Sequence, residues 1–237
     1  MGESHAEVVL DRLRGQGVNV QTVDVVTPLR ETFAAAASGR GRYVKQSGGH
    51  GQFAICEIEV EPLPRGGGFE FVDKIVGGII PGPYIASVEK GVRAQMEKGV
   101  SAGFPVVDIR VTLVGGKTHS VDSSDAAFQS AGALALREAA AAARIQLLEP
   151  VSAVTITVPD DYVGTVMSDL SARRGRLTGS DSAGGDMTEI SAEVPDQELL
   201  RYAIDLRALT GGTGRFRRAY LRHDPVPSAA VSGVGQR

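Results

Sequence analysis

Cysteine is nearly absent: the 237 residues contain one, Cys56. No intramolecular disulfide and no thiolate metal site can therefore be built, and a reducing compartment fits best. No run approaches the ~18 consecutive apolar residues that would span a bilayer, and the stretch from Met1 to Asp11 lacks the basic and apolar regions of a signal peptide. The expectation is a cytoplasmic chain with no membrane partner. An excess of positive charge is also lacking, since 25 basic and 28 acidic side chains leave a net charge of −3. No overall field attracts nucleic acid, so any such binding must come from local patches. Catalytic signatures are missing as well: there is no G-x-x-x-x-G-K-[ST], no G-x-S-x-G and no H-E-x-x-H. The four histidines, at positions 5, 50, 119 and 223, are scattered, and no serine or cysteine sits in a nucleophile context. The chain reads as no enzyme in its own right, with no catalytic residue, no metal site and no cofactor of its own.

What is present is globular. Hydrophobic residues make up 42% and charged residues 22%, enough apolar surface to offset conformational entropy in one large or two smaller domains. Of the 25 basic residues, 20 are arginine, a bias that reflects either a GC-rich genome or selection for phosphate recognition.

The pattern predicts an α+β protein. Ala6, Val9, Leu10 and Leu13 recur at helical spacing over residues 4–16, with Ser4 and Glu7 in a capping-box pattern. A weak period of two from Val18 to Asp24 predicts a strand that Pro28 ends. One helix and one strand bury too little to stand alone, so residues 1–28 read as the tail of a domain whose first half is missing. From Glu31 to Leu148 the order reads strand, strand, helix, strand, helix. Cys56, Ile58 and Val60 face one way and Glu57, Glu59 and Glu61 the other, as in a sheet with one wet face. Val107, Ile109, Val111 and Leu113 repeat the alternation. The helices are expected over Tyr84 to Lys98 and Ser124 to Ala143, the second capped by Ser123 or Ser124. Residues 149–227 predict βαββαβ, the split-βαβ or ferredoxin-like unit. Its strands are expected around Val154–Val158, Arg176–Thr178, Ile190–Val194 and Phe216–Leu221, with a turn over Ser180 to Asp186. Residues 228–237 are small and polar and read as a disordered tail.

Three segments invite a functional reading beside a bland one. Ser47-Gly48-Gly49-His50-Gly51-Gln52-Phe53 joins two strands: its glycines allow close backbone approach and would present His50 and Gln52 at a tip, or they serve turn geometry alone. Val114-Gly115-Gly116-Lys117-Thr118-His119-Ser120 is either a solvated loop or a donor-rich tip reaching phosphate or base edges through Lys117 and His119. Ala172-Arg173-Arg174-Gly175 ends a helix, where cations suit the macrodipole and Gly175 would supply the left-handed cap; a phosphate contact by Arg173 or Arg174 is the alternative. Arg215, Arg217, Arg218 and Arg222 add a basic strip on the last strand.

Taken together, the strings GESH, SGGHGQF, FEFVDKIVGGIIPGPY, GFPVVDIRVTL, HSVDSSDAAFQSAG, LEPV, DLSARRG and YAIDLRALTGGTGRF, in that order, resemble the C-terminal portion of bacterial translation elongation factor G. The resemblance covers residues 1–227. It implies that residues 1–28 end a truncated, ferredoxin-like third domain. Residues 29–148 would then be a fourth domain with a left-handed βαβ crossover similar to a ribosomal-protein fold, and residues 149–227 a ferredoxin-like fifth domain. The family's first two domains bind GTP and Mg and hydrolyse the nucleotide; none of their residues is here. By resemblance, a monomeric ribosome-binding part is expected, acting in translocation of tRNA and mRNA or in ribosome recycling. Its fourth-domain tip, Ser47, Gly48, Gly49, His50, Gly51 and Gln52 with Gly115, Gly116, Lys117, Thr118 and His119, would reach the decoding centre, with His119 and Gln52 matching the family's tip histidine and loop glutamine. The fifth domain, with Arg173 and Arg174, would face large-subunit ribosomal RNA of the GTPase-associated region. The sequence departs from the family at His50, Gly115, Thr118 and Ser120, which make the tip smaller and alter its charge, and after His223, where Asp224-Pro225-Val226-Pro227 cannot readily continue into a helix. A divergent paralogue is the expectation. Two other readings are a fragment of a ribosomal-protection factor, for which both loops are short, and a small-molecule-binding regulatory module.

Overall fold

Alternation of buried and exposed residues along Cys56 to Glu61 does produce a strand with one wet face, and the strand lies at the centre of a sheet. A computed structural model describes residues 3–21, 27–45 and 51–227. The element order begins α1 (Glu3–Gly15), β1 (Arg30–Phe33), β2 (Ala37–Lys45), β3 (Gln52–Pro62), β4 (Phe69–Asp73), α2 (Gly82–Lys98), β5 (Ile109–Lys117) and α3 (Asp125–Ala142). It continues β6 (Ile145–Pro159), α4 (Val163–Ala172), β7 (Arg176–Ser182), β8 (Met187–Pro195), α5 (Tyr202–Leu209) and β9 (Arg215–Pro225). Contacts divide the chain into two units, residues 29–148 with the segment from His223, and residues 149–222 with the segment up to Pro28.

In the unit of residues 29–148, a four-stranded sheet runs in the order β2-β3-β5-β4. β3 is antiparallel to β2 and β5, while β4 is parallel to β5, so α2 is the crossover between them. The inner sheet face, with Cys56, Ile58, Val60, Val111 and Leu113, packs under Val88 and Val92 of α2 and Phe128, Ala131 and Leu136 of α3. Burial pushes the Cys56 thiol up to about 12, so it offers no thiolate nucleophile. Helix α3 begins where Ser124 accepts a hydrogen bond from the Ala127 amide. It can lie almost on the backbone of β2 because Gly39 and Gly41 have no Cβ: one added at Gly41 would run into the Ala131 carbonyl, and one at Gly39 into that of Ala135. Alanine-rich α3 and glycine-bearing β2 are complementary halves of one close contact.

Strand β1 pairs antiparallel with Ile145–Leu148. Its Glu31 is fully buried, and its carboxylate accepts hydrogen bonds from the amides of Val100 (2.7 Å), Ser101 (2.9 Å), Ala102 (2.6 Å) and Phe104 (3.2 Å). Four donors converging on one carboxylate satisfy its desolvated charge and fix the loop after α2.

In the unit of residues 149–222, β6, α4, β7, β8, α5 and β9 form the βαββαβ order, and the strands lie as β9-β6-β8-β7. Val154, Ile156, Ile190, Val194, Val166, Leu170, Tyr202 and Leu206 make its core. This is the split-βαβ arrangement that the periodicity predicts.

Several local expectations are corrected. Residues 18–21 are not in a strand, and residues 22–26 of that expected strand lie outside the described residues. The sequence reading has no element at Phe69–Asp73, where β4 forms; its short Phe-Glu-Phe alternation is masked by Gly66–Gly68, and only pairing with β5 makes it a strand. Strand β7 runs on to Ser182, so the turn starts at Ala183 rather than Ser180. At the end of α4 the left-handed residue is Arg174, with φ of 57°, not Gly175. Gly175 serves close approach instead, because its amide bonds the Leu170 carbonyl at 2.8 Å and a Cβ there would stand 2.6 Å from that oxygen. Residues 228–237, read as a tail, lie outside the described residues.

Candidate nucleic-acid interface

Two strand ends meet at one end of the four-stranded sheet. β2 and β3 are paired up to Lys45 and Gln52, so the segment between them is a hairpin connection. Of the candidate residues there, Ser47, Gly48, Gly49 and His50 lie outside the described residues, whereas Gly51 and Gln52 are described. Beside them, β5 passes through an irregularity at Val114, where Glu57 pairs with Gly115 but Ile58 with Leu113. That extra residue turns Gly116 toward the core opposite Cys56, where a Cβ would stand 2.6 Å from Ile80 Cδ1 and clash with the Ile55 carbonyl. Glycine at 116 is thus required by packing, and Gly115, Gly116 and Lys117 belong to the strand rather than to a loop.

The segment after β5 is fixed back onto β3. The Phe53 amide bonds the Asp122 carbonyl at 2.8 Å, and the Ser123 hydroxyl donates to the Phe53 carbonyl at 2.7 Å while accepting from the His119 amide at 2.9 Å. The His119 ring lies tilted at 5.9 Å from the Phe53 ring. Its Nδ1 is 3.2 Å from the Asp122 amide and 3.3 Å from Asp122 Oδ2. Without a hydrogen Nδ1 accepts from the amide, and with one it donates to the carboxylate, so the two contacts correspond to different placements of the ring hydrogen. Either way Nδ1 is engaged, and the half-exposed ring keeps Nε2 without a partner among the described residues. Asp122 also lies against Gly51, where a Cβ would stand 2.9 Å from its Cγ. The two candidate segments therefore adjoin, and Gly51, Lys117, Thr118 and His119 are brought to one end of the unit.

Arg173 and Arg174, in the other unit, are heavily engaged. Arg173 donates to Asp169 (2.9 Å), the Glu198 carbonyl (3.1 Å) and Asp205 (2.8 Å), with its guanidinium 5.1 Å from the Tyr202 ring centroid. Arg174 forks onto Glu149 at 2.6 and 3.0 Å and reaches Glu198 at 3.0 Å. Burial pushes both guanidinium groups down, for Arg173 as the largest single influence, yet hydrogen bonds to and charges of these carboxylates together hold both above their ordinary pKa. Two carboxylates per guanidinium make these arginines internal braces of α4 and its neighbours, and a phosphate could engage either only in competition with them.

Sequence reasoning missed Phe53, Asp122 and Ser123. Asp122 and Ser123 stand in the string HSVDSS, but their partners are about 70 positions away in the chain, so no local pattern marks them. Among the described residues, no group of three or more His, Cys, Asp or Glu side chains could hold a metal ion, and no helix is long and apolar enough to cross a membrane.

Residues 26–144 match the family model for elongation factor G, domain IV, and residues 146–233 match that for the elongation factor G C-terminus. An elongation factor G-like protein of Mycobacterium tuberculosis (strain CDC 1551 / Oshkosh) is 63% identical over 235 residues, which is 99% of this chain and 33% of that protein. Elongation factor G of Aquifex pyrophilus is 47% identical over 239 residues, covering 100% of this chain and 34% of the relative. A crystal structure from Thermus thermophilus superposes with a TM-score of 0.91 at 39% identity, covering 99% of this chain and 35% of that one. The chain thus spans about a third of the length of the relatives it matches. With both models matched in succession along nearly its whole length, the chain belongs to the elongation factor G family, as a C-terminal portion of an elongation-factor-G-like protein.

Proposed function

We propose that this chain is the ribosome-binding part of a translation factor of the elongation factor G type, and that its RNA contact is made by the tip at the β2–β3 connection and the end of β5. In this reading residues 1–28 close a third domain, residues 29–148 are the fourth domain that reaches the decoding centre, and residues 149–227 are the fifth domain. The chain works in the cytoplasm as a monomer during tRNA and mRNA movement or ribosome recycling, and GTP hydrolysis belongs to domains outside these residues. The observation that carries the reading is the tip itself. His119 is braced through Nδ1 and its own amide, Lys117 is exposed at a strand end, and Gly51 lies against Asp122 beside them. Such a tip offers hydrogen-bond donors to sugar and phosphate with little means of reading a base sequence. Ser47, Gly48, Gly49, His50, Gln52 and Thr118 complete the proposed contact. Arg173 and Arg174 enter it as braces that hold the fifth domain in shape for large-subunit RNA.

Cosedimentation with bacterial ribosomes at low and moderate salt tests this. The chain is expected to pellet at low salt, to be released as salt rises, and to bind less when Lys117→Ala and His119→Ala are combined. Absence from the pellet at low salt would overturn the proposal, and unchanged binding of the double variant would overturn the tip assignment.

A further inference from the structure

Away from the tip, the edge strand β2 and helix α3 enclose an open concavity of about 590 Å³, lined by Arg40 and Arg42 of β2, Arg137 and Glu138 of α3, and Val100 and Ser101 of the loop after α2. Three guanidinium groups face one carboxylate here. Arg40 is partly answered by Glu57, 3.3 Å away on β3. Arg42 and Arg137 are exposed and have no ionic or hydrogen-bond partner among the described residues. Elsewhere in this unit Arg93 is paired with Glu89, Arg110 with Glu70 and Glu61, and Arg65 with Asp224, while the side chains of Arg30 and Arg144 are exposed without an ionic or hydrogen-bond partner among the described residues. Two unpaired guanidinium groups, with the partly paired Arg40 beside them, therefore share one concavity of a chain whose net charge is −3.

The walls are rigid. Glycines 39 and 41 let α3 lie against β2 with no room for a Cβ, which draws Arg137 to the strand edge. Val100 and Ser101 are held by the buried Glu31 carboxylate. Arg40 and Arg42 lie two residues apart on a strand, hence ~7 Å apart at the backbone. That spacing, in an open trough, suits successive phosphates along a strand rather than one enclosed anion. Arginine's fork favours phosphate oxygens, and Val100 offers an apolar wall to sugars.

We propose that this trough, carrying Arg40, Arg42 and Arg137, is a second RNA-contact surface, one that grips the phosphate backbone of an RNA strand apart from the tip. The inference rests on the ribosome-binding reading and deepens it, since β2 leads from the trough directly to the tip connection.

Binding of a fluorescein-labelled RNA hairpin, followed by anisotropy across a salt series, and ribosome cosedimentation test the trough on the whole 237-residue chain. Arg42→Gln combined with Arg137→Gln is compared with the wild-type chain and with the Lys117→Ala, His119→Ala tip variant. Both arginines are exposed and unpaired among the described residues, so an unchanged circular dichroism spectrum is expected. The trough variant should bind the hairpin roughly three- to tenfold more weakly at low salt. The slope of log affinity against log salt should be shallower by about 1.4, two contacts at ~0.7 each. Wild-type affinity in the trough variant, with the tip variant weakened, would overturn the trough and leave the ribosome-binding reading standing. A wild-type chain that binds neither hairpin nor ribosomes would end both. Displacement of the hairpin by poly-glutamate as readily as by unlabelled RNA would overturn the RNA assignment in favour of an acidic protein partner.

Discussion

Replacing Glu31 by glutamine should loosen one loop selectively, and the size of the effect follows from the hydrogen bonds. Oε2 accepts from the Val100 and Ser101 amides and Oε1 from those of Ala102 and Phe104. A carboxamide is nearly isosteric but offers one acceptor oxygen, so its NH2 group would face two N–H donors. An unsatisfied buried donor costs ~1–3 kcal/mol, so two would cost ~2–6 kcal/mol. Ser101 and Ala102 are at the surface, where water replaces part of what is lost, which brings the expected figure down to about 2 kcal/mol. At about 1.36 kcal/mol per factor of ten, that is roughly a 30-fold gain in local opening.

Native-state hydrogen exchange is the assay, because the chain has two units and a single unfolding free energy need not describe both. In Glu31→Gln the amides of residues 100, 101, 102 and 104 should exchange about 30-fold faster. Those of Val166 and Leu170, in the other unit's core, are expected to keep their rates. If the four loop amides retain wild-type protection, the carboxylate is not what fixes that loop, and the rigidity argued for the RNA trough fails with it.

Two further predictions concern the unit of residues 149–222. Glu193 accepts hydrogen bonds from Arg222 and Arg176, each at 2.7 Å, and these hold its carboxyl down at about 2 against an ordinary 4.5. Because the folded value is depressed, the stabilisation is whole above about pH 4.5 and is lost as pH falls toward 2. Thermal melts should therefore separate wild type from Glu193→Gln at about pH 6 and bring them together near pH 2, and curves that stay parallel would contradict the pairing. The Tyr202 hydroxyl is buried with no hydrogen-bond partner among the described residues, although its ring packs edge-on against Phe216 at 5.3 Å. Tyr202→Phe should accordingly leave urea stability unchanged or raise it by up to about 1 kcal/mol, and a clear loss would reveal a partner for that oxygen.

Fold class and most elements were legible in the sequence because burial is imposed on alternate residues of a strand and on one stripe of a helix. Cys56 to Glu61 and the βαββαβ order are read that way, and residue type narrows the N-cap of α3 to Ser123 or Ser124, of which the structure uses Ser124. What stayed hidden depends on partners remote in sequence. β4 exists by virtue of its pairing with β5 about 40 positions on, and the buried Glu31 looks like any acidic residue beside an arginine until the amides of residues 100–104 close on it. The pair Arg173-Arg174 reads as available charge only while Asp205, Glu198 and Glu149 are out of view.

The candidate site divides along the same line, and the division bears on how a tip of this kind can work. Glycine and donor residues were visible as strings, but the braces that hold them, Ser123 on Phe53 and the Asp122 backbone on His119, were not. A flexible glycine-rich loop would lose conformational entropy on every contact with RNA. For the described residues of the tip the cost is met during folding: the amides of Phe53, His119 and Asp122 are bonded within the protein, and Gly116 is locked by the core. The donors left over, the Lys117 ammonium and the outer edge of the His119 ring, are thus presented from a pre-formed support. Substitutions at Ser123 should then weaken RNA binding without removing any group that touches RNA, whereas substitutions at Lys117 should weaken it while leaving the support intact. That contrast separates a braced tip from a merely basic one.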